Sequence, residues 1–240
     1  MQADLLRIFS LIDLTSLNDT DDFSTIKTLC TKAILPVGHA AALCVNPNLV
    51  KEAAQLLANT PVKIATVANF PQGLDSLEHA KKSMQKSMED GADEIDVVFP
   101  YTDYLKGNQE QSYEFIRECR AFCKNKTLKV ILETGALQDP HLILDVSDHL
   151  CELGVDFLKT STGKISIGAT LSSAEAMLKS IQKSSKPVGL KVSGGIRTIQ
   201  QALQYIELAE RMMGSQWITP AHFRIGASQL VDQLITAFEL

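Results

Sequence analysis

Short apolar runs alternate along the chain with longer stretches whose apolar residues recur at helical spacing. The runs are rich in β-branched residues and lack the apolar/polar alternation of a sheet that is wetted on one face, which is typical of parallel strands covered on both sides. Eight runs are therefore predicted strands, at residues 11–14, 41–45, 62–67, 94–99, 128–132, 155–158, 187–191 and 223–225.

The stretches between these runs are predicted helices. Asp139-Pro140 and Thr170 are typical helix starts, and Gly91 and Gly154 stand where helices should stop. A short amphipathic segment at residues 4–9 precedes the first strand and could close the bottom of a barrel. The eight main helices are expected at residues 23–35, 47–57, 74–89, 109–124, 140–153, 172–182, 199–211 and 229–238.

Strands that alternate with helices of this length imply parallel strands joined by right-handed crossovers. Eight such units favour a closed (β/α)₈ TIM barrel with a short N-terminal helix over an open doubly wound sheet. The 240 residues allow 30 for each unit, which is about the size of one strand and its helix. Because no Pro/Gly/Ser-rich linker interrupts the chain, we expect residues 1–240 to form a single α/β domain.

Charge and cysteine content narrow the class of partner. The chain has 23 Lys and Arg against 28 Asp and Glu, a formal net charge of −5. This balance predicts no binding to nucleic acid or to an anionic membrane, but it leaves a phosphorylated small molecule possible. The five cysteines lack the spacing of a zinc site and are expected to be reduced thiols. No signal peptide or long apolar run is present, so a cytoplasmic location is expected.

Two lysines lie at the ends of predicted neighbouring strands that are otherwise apolar, Lys159 and Lys191. In barrels of this kind the active site is built at these carboxyl ends. Two ammonium groups in one barrel mouth repel each other, which lowers the pKa of at least one, and a neutral amine can form a Schiff base with a carbonyl. The alternative is that one or both lysines reach the surface or bind phosphate only.

Carboxylates occupy other strand ends. Asp96 lies within an apolar strand, where it could relay protons to a substrate or act as a counter-ion for a buried lysine, and Asp13 allows the same two interpretations. Glu133 could pair with Lys129 or support other site residues.

Glycines and hydroxyls gather in the loops after the last three strands. Gly163, Gly194 and Gly195 would let a ligand approach the backbone closely, and Ser228 follows Gly226 near the start of the last helix. Loops in these positions commonly bind phosphate through backbone N–H groups. Turn formation is the alternative role for each glycine.

Seven segments carry a family resemblance that extends over nearly the whole chain: IDLT at 12–15, KIATVANFP at 63–71, GADEIDVVFP at 91–100, LKVILET at 128–134, DFLKTSTGK at 156–164, GLKVSGGIR at 189–197 and FRIGAS at 223–228. In this order they resemble the class I, Schiff-base deoxyribose-phosphate aldolases. The segment Lys-Thr-Ser-Thr-Gly-Lys directly after a strand is specific to that pattern.

The resemblance implies reversible cleavage of 2-deoxy-D-ribose 5-phosphate to D-glyceraldehyde 3-phosphate and acetaldehyde, with no metal and no cofactor. It implies that Lys159 is the Schiff-base nucleophile, that Lys191 perturbs it, and that Asp96 is the acid/base, working with an ordered water. The other residues that it implicates support this network or bind the substrate phosphate: Asp13, Lys129, Thr160, Gly163, Lys164, Gly194, Gly195, Gly226 and Ser228. The assembly is left open, with a homodimer as one possibility.

Two departures from the family pattern carry expectations. Many relatives have a second serine where this chain has Gln229, which removes one hydroxyl donor to phosphate. Some members have a C-terminal tail ending in tyrosine that this sequence lacks, so we expect slower proton transfer or a substitute group. Cys44 is expected to serve packing, although a site near the mouth could expose it to aldehydes. The competing functions are a transaldolase-like or other sugar-phosphate aldolase and a non-catalytic phosphosugar binder.

Overall fold

The computed structural model describes residues 2–239, and within them eight parallel strands close into a barrel. Around the barrel each strand pairs with its neighbours in the order β1-β10-β9-β8-β7-β6-β5-β4. The barrel strands are β1 (Ile12–Thr15), β4 (Ala42–Val45), β5 (Lys63–Ala68), β6 (Glu94–Val98), β7 (Thr127–Ile131), β8 (Phe157–Lys159), β9 (Gly189–Ser193) and β10 (Phe223–Ala227), and a separate antiparallel hairpin consists of β2 (Ile34–Leu35) and β3 (Gly38–His39).

Helices surround the barrel and connect its strands, as the predicted (β/α)₈ architecture requires. Each predicted strand overlaps one barrel strand, so the predicted fold class is confirmed. The helices are α1 (Gln2–Ser10), α2 (Phe23–Ala33), α3 (Val50–Leu56), α4 (Leu77–Glu89), α5 (Tyr101–Leu105), α6 (Gln109–Phe122), α7 (Thr134–Leu137), α8 (Pro140–Leu153), α9 (Leu171–Lys183), α10 (Ile199–Met213) and α11 (Gln229–Ala237).

The end of the helix predicted over residues 23–35 is wrong, because its last two residues form a hairpin strand. The helix ends at Ala33, and Ile34 pairs with His39 in the antiparallel hairpin. Leu35 precedes Pro36, whose ring disfavours helical geometry in the residue before it. The apolar pattern of residues 34 and 35 therefore belongs to a strand and not to the last turn of a helix.

Helix starts and short helices also differ from the prediction. The first turn of the predicted helix at 47–57 is a 3₁₀ turn over Pro47–Leu49, and the helix predicted to start at residue 74 begins at Leu77, capped by the Ser76 side chain. Two helices, α5 and α7, were missed. Each is too short to show a helical period in the sequence.

Helix α1 packs against β3, α10 and α11. Leu5, Ile8 and Phe9 are its buried residues, and the Phe9 ring meets Phe238 edge-on with 6.2 Å between centroids. The predicted amphipathic segment is thus a packed helix. No helix within residues 2–239 has the length and apolar character needed to cross a membrane.

Candidate active site

A buried carboxylate lies at the centre of the barrel and receives three lysines. Asp96, on β6, accepts hydrogen bonds from Lys129 at 2.8 Å, Lys159 at 2.7 Å and Lys191 at 2.8 Å. The lysines come from the three consecutive strands β7, β8 and β9, whose side chains point into the barrel at this level. Asp96 is thus the counter-ion of all three lysines, and its contact with Lys159 also fits the proton relay that the sequence predicts as the alternative.

Deeper in the barrel, further ion pairs link this centre to two more carboxylates. Lys191 lies 2.6 Å from Asp13, and Arg224 lies 2.7 Å from Asp13 and 3.1 Å from Glu94. Lys129 reaches Glu94 as well as Asp96.

In this ion-paired set, three carboxylates face four cationic side chains, which leaves one positive charge in excess if all are ionised. Lys191 has two carboxylate partners, whereas Lys159 has Asp96 alone and shares it. The charge balance therefore favours a neutral amine at Lys159.

The pKa values of Lys159 and Lys191 differ because their carboxylate partners differ. Burial lowers the pKa of Lys159, and repulsion from the charged Lys191 lowers it further against the attraction of Asp96. Burial acts in the same sense on Lys191, but Asp13 and Asp96 outweigh it and raise its pKa. The expectation that two lysines in one mouth depress the pKa of at least one agrees with this arrangement, and Lys159 is the one.

The central carboxylates stay ionised. Burial alone would raise the pKa of Asp96 and Asp13, but the surrounding lysines and, for Asp13, Arg224 hold both pKa values below the ordinary range. Asp96 is thus an anion at neutral pH. Cys44 is buried in the same region, where burial raises the pKa of its thiol.

Above this centre a cavity of about 240 Å³ opens at the carboxyl ends of the strands, with Lys159 in its wall. Most of the cavity is formed by the loops that follow β8, β9 and β10. Seven residues predicted from the sequence line it: Lys159, Gly163, Lys164, Gly194, Gly195, Gly226 and Ser228.

The loops after β8 and β9 contain glycines whose backbone conformation would be strained in a residue with a side chain. Gly163, Gly194 and Gly195 have φ values of +77°, +88° and +86°. A Cβ on Gly226 would lie 2.8 Å from the Ser193 side chain. These positions therefore favour glycine, and loops without side chains let a ligand such as phosphate approach the backbone closely.

Polar side chains complete the cavity wall. The Lys164 amine crosses the mouth and donates to the Leu17 carbonyl at 2.7 Å. Ser228 is the N-terminal flanking residue of α11, and Gln229 lines the cavity beside it. An anion in this cavity would thus meet an ammonium group and the start of a helix.

The remaining predicted site residues lie outside the cavity wall. Asp13, Asp96, Lys129 and Lys191 belong to the buried charge network, and Thr160 exchanges hydrogen bonds of 3.0 Å with the Ser193 backbone, tying β8 to β9.

Three residues of the site are not among those predicted from the sequence. Glu94 and Arg224 place a charge in an apolar strand just as Asp96 does, which is a signal that the sequence carries, and Thr162 lies within the Lys-Thr-Ser-Thr-Gly-Lys segment. Glu133 was interpreted as a partner of Lys129 or as a support, and its carboxylate accepts hydrogen bonds from Thr162.

With this geometry in place, comparison with known proteins identifies the family. The model of the DeoC/LacD family aldolases matches residues 7–219. The chain belongs to the DeoC/LacD aldolase family. A protein from Coccidioides immitis, provisionally assigned as a deoxyribose-phosphate aldolase, is 30% identical, with 95% of this chain and 86% of that chain covered and a TM-score of 0.84.

Two further structures share the fold of this DeoC/LacD aldolase. QR15, an aldolase, is 27% identical, with 97% of each chain covered and a TM-score of 0.81. The deoxyribose phosphate aldolase of Aeropyrum pernix, which has a tetrameric structure, is 24% identical, with 99% of this chain and 97% of that chain covered and a TM-score of 0.79. Family membership makes this chain an aldolase, hence a carbon–carbon lyase.

Proposed function

We propose that this aldolase cleaves 2-deoxy-D-ribose 5-phosphate reversibly to D-glyceraldehyde 3-phosphate and acetaldehyde through a Schiff base on Lys159. The observation that supports the proposal is the environment of the Lys159 amine. It lies in the wall of a cavity with phosphate-binding features, in contact with Asp96, and burial and Lys191 lower its pKa. A neutral amine in that position is a nucleophile for a carbonyl carbon.

The proposed reaction begins when the Lys159 amine attacks C1 of the open-chain sugar phosphate and water leaves, which forms an iminium ion. A proton passes from the C3 hydroxyl to Asp96 through water, and the C2–C3 bond breaks. The bond's electron pair moves into an enamine with the iminium nitrogen as the electron sink, so no free carbanion forms. C3 becomes the aldehyde carbon of D-glyceraldehyde 3-phosphate.

The second half returns the enzyme to its starting state. The enamine carbon takes up a proton, and water hydrolyses the resulting iminium ion to acetaldehyde and the free amine. Lys191 keeps its charge throughout, because its two carboxylates raise its pKa, and it therefore maintains the repulsion that favours the neutral form of Lys159.

The cavity supports a phosphorylated substrate. The Lys164 ammonium group, the left-handed glycines of the loops after β8 and β9, and the start of α11 converge on one end of it. We propose that Gly163, Lys164, Gly194, Gly195 and Ser228 bind the 5-phosphate. The Lys164 amine donates to the Leu17 carbonyl in this structure, and it would exchange that hydrogen bond for one to the bound phosphate.

Trapping with acetaldehyde and borohydride tests the Schiff base. We expect a stable two-carbon adduct on Lys159, found by mass spectrometry of the peptides, and none in Lys159→Met. The control Lys164→Met removes another amine of the same cavity and should keep the adduct while weakening phosphate binding. An unmodified Lys159 together with phosphate-dependent thermal stabilisation would instead indicate a phosphosugar binder.

Turnover tests the substrate. Formation of D-glyceraldehyde 3-phosphate from 2-deoxy-D-ribose 5-phosphate is expected in the wild type and should be lost in Lys159→Met. An adduct on Lys159 without turnover of this sugar would indicate a Schiff-base aldolase for another sugar phosphate.

A further inference from the structure

Glu133 occupies a strained position, separated from the end of β7 by Leu132 alone. Its backbone is left-handed, with φ 54° and ψ 60°, a conformation that residues with a side chain rarely adopt. Hydrogen bonds on both sides hold it there, since Leu132 donates to the Lys159 carbonyl and Thr134 to the Thr160 carbonyl, each at 2.9 Å. The strain thus fixes a carboxylate beside the loop that follows Lys159.

The Glu133 side chain is fully buried and is bonded to one residue of that loop. Both carboxylate oxygens lie 3.4 Å from the Thr162 amide nitrogen, and the Thr162 hydroxyl donates to the carboxylate in a short hydrogen bond. Thr162 lines the same cavity as Lys159 and Lys164. A buried acid therefore controls a hydroxyl group that faces the substrate cavity.

The direction of the Thr162 hydroxyl follows from this contact. A hydroxyl has one hydrogen and two lone pairs. The hydrogen is directed to Glu133, and the Lys164 amide donates to the oxygen at 3.1 Å, which occupies one lone pair. The remaining lone pair makes Thr162 a hydrogen-bond acceptor and not a donor for a ligand.

We propose that Glu133 is a positioning residue that fixes Thr162 as an acceptor for a substrate hydroxyl, and so selects aldehydes that carry one. This inference rests on the proposed function. The acceptor aldehyde, D-glyceraldehyde 3-phosphate, has one hydroxyl between its aldehyde carbon and its phosphate-bearing carbon. That hydroxyl can donate to Thr162 while the phosphate lies at Lys164 and the aldehyde carbon at the enamine on Lys159.

Substrate discrimination tests the proposal. Condensation with acetaldehyde is measured for D-glyceraldehyde 3-phosphate and for 3-oxopropyl phosphate, which lacks the hydroxyl, and kcat/KM is compared. In Glu133→Gln the amide can donate to the Thr162 oxygen and release its hydrogen towards the cavity. We expect the preference for the hydroxylated aldehyde to fall about tenfold, as for the loss of one hydrogen bond to a charge-oriented group.

Variants of Thr162 separate positioning from a general structural effect. Thr162→Val should reduce the preference as Glu133→Gln does, and Thr162→Ser, which keeps the hydroxyl, should retain it. The double variant Glu133→Gln with Thr162→Val should lose no more than either single variant, because Glu133 acts through Thr162. If Glu133→Gln does not fold, the comparison of Thr162→Val with Thr162→Ser still tests the proposal.

An equal loss of kcat/KM for both aldehydes, additive losses in the double variant or an unchanged preference in Thr162→Val would overturn the role of Glu133. Acetaldehyde trapping on Lys159 is measured in the same proteins. Absence of the adduct from the wild type would overturn the proposed function itself, whereas an adduct in all variants with unchanged discrimination would overturn the positioning role alone.

Discussion

At the scale of single residues, two lysines of the same type acquire opposite properties from their partners. Lys191 lies between Asp13 and Asp96, whereas Lys159 shares Asp96 with two other amines. Their pKa values therefore shift in opposite directions although both side chains are buried. The lowered pKa of one lysine and the raised pKa of the other are a consequence of how the carboxylates are distributed.

Replacement of Lys191 by Met should raise the pKa of Lys159, because it removes a repelling charge and frees Asp96 to attract the Lys159 ammonium. Each unit of increase reduces the neutral fraction at neutral pH about tenfold. We expect the rate of acetaldehyde trapping to fall at neutral pH and to recover as the pH rises, measured from neutral to alkaline pH.

The control for this prediction is Lys164→Met, which removes a cation from the cavity wall that donates to a backbone carbonyl. It should raise KM for the phosphorylated substrate without moving the pH dependence of trapping. A pH profile of Lys191→Met that coincides with that of the wild type would contradict the role of Lys191.

At the scale of the elements, the loops after β8 and β9 pack on each other and together line the cavity at the place where we propose that phosphate binds. Ala169 donates to the Gly194 carbonyl at 3.0 Å, and Gly168 lies against the same peptide. A Cβ on Gly168 would come within 2.2 Å of the Gly194 carbonyl oxygen. The two loops can therefore meet only if residue 168 has no side chain.

Gly168→Ala should push the loop after β9 away and weaken phosphate binding. We expect KM for 2-deoxy-D-ribose 5-phosphate to rise on the order of tenfold, the effect of losing about 1.4 kcal/mol, with acetaldehyde trapping on Lys159 largely retained. Gly214→Ala is the control, since Gly214 has φ +88° with nothing within 4 Å of its Cβ position and follows α10 before β10. It should cost stability and leave KM unchanged.

At the scale of the whole molecule, the buried charges connect six of the eight barrel strands. Asp13 on β1, Glu94 and Asp96 on β6, Lys129 on β7, Lys159 on β8, Lys191 on β9 and Arg224 on β10 are linked by ion pairs. Breaking one partner of a buried pair is strongly destabilising, because it leaves a charge uncompensated. Removal of any one member of this network should therefore destabilise the closed barrel.

Acid should destabilise the fold through these carboxylates. The pKa values of Asp13 and Asp96 are lower in the folded state than in the unfolded state, so the stability they contribute is present above about pH 4 and is lost as the pH falls through the folded values. We expect the free energy of urea unfolding to decrease as the pH is lowered below about 4.

Asp13→Asn should reduce the slope of that decrease by up to about 1.4 kcal/mol per pH unit, since one fewer proton is taken up on unfolding. Asp232→Asn removes a carboxylate from an exposed ion pair with Lys32 and should leave the slope unchanged. Equal slopes in the wild type and Asp13→Asn would contradict the prediction.

The sequence determined the barrel, because buried parallel strands and their covering helices leave a local signature in the spacing of apolar residues. It also indicated Asp96, Lys159 and Lys191 as candidate site residues, since a charged residue in an otherwise apolar strand can be recognised from the sequence alone. The hairpin after α2 and the short helices α5 and α7 were not predicted, because segments of two to five residues are too short to show the period of a strand or a helix.

Only the tertiary structure decided that Lys191 has two carboxylate partners and Lys159 one, that Arg224 belongs to the network, and that Glu133 contacts Thr162. These contacts join residues from 29 to 211 positions apart. Such partners depend on the order and register in which the strands close the barrel, and a pKa depends on the distances that this closure sets. The residue types at the strand ends are local properties of the chain, whereas the opposite pKa shifts of Lys159 and Lys191 are a property of the closed fold.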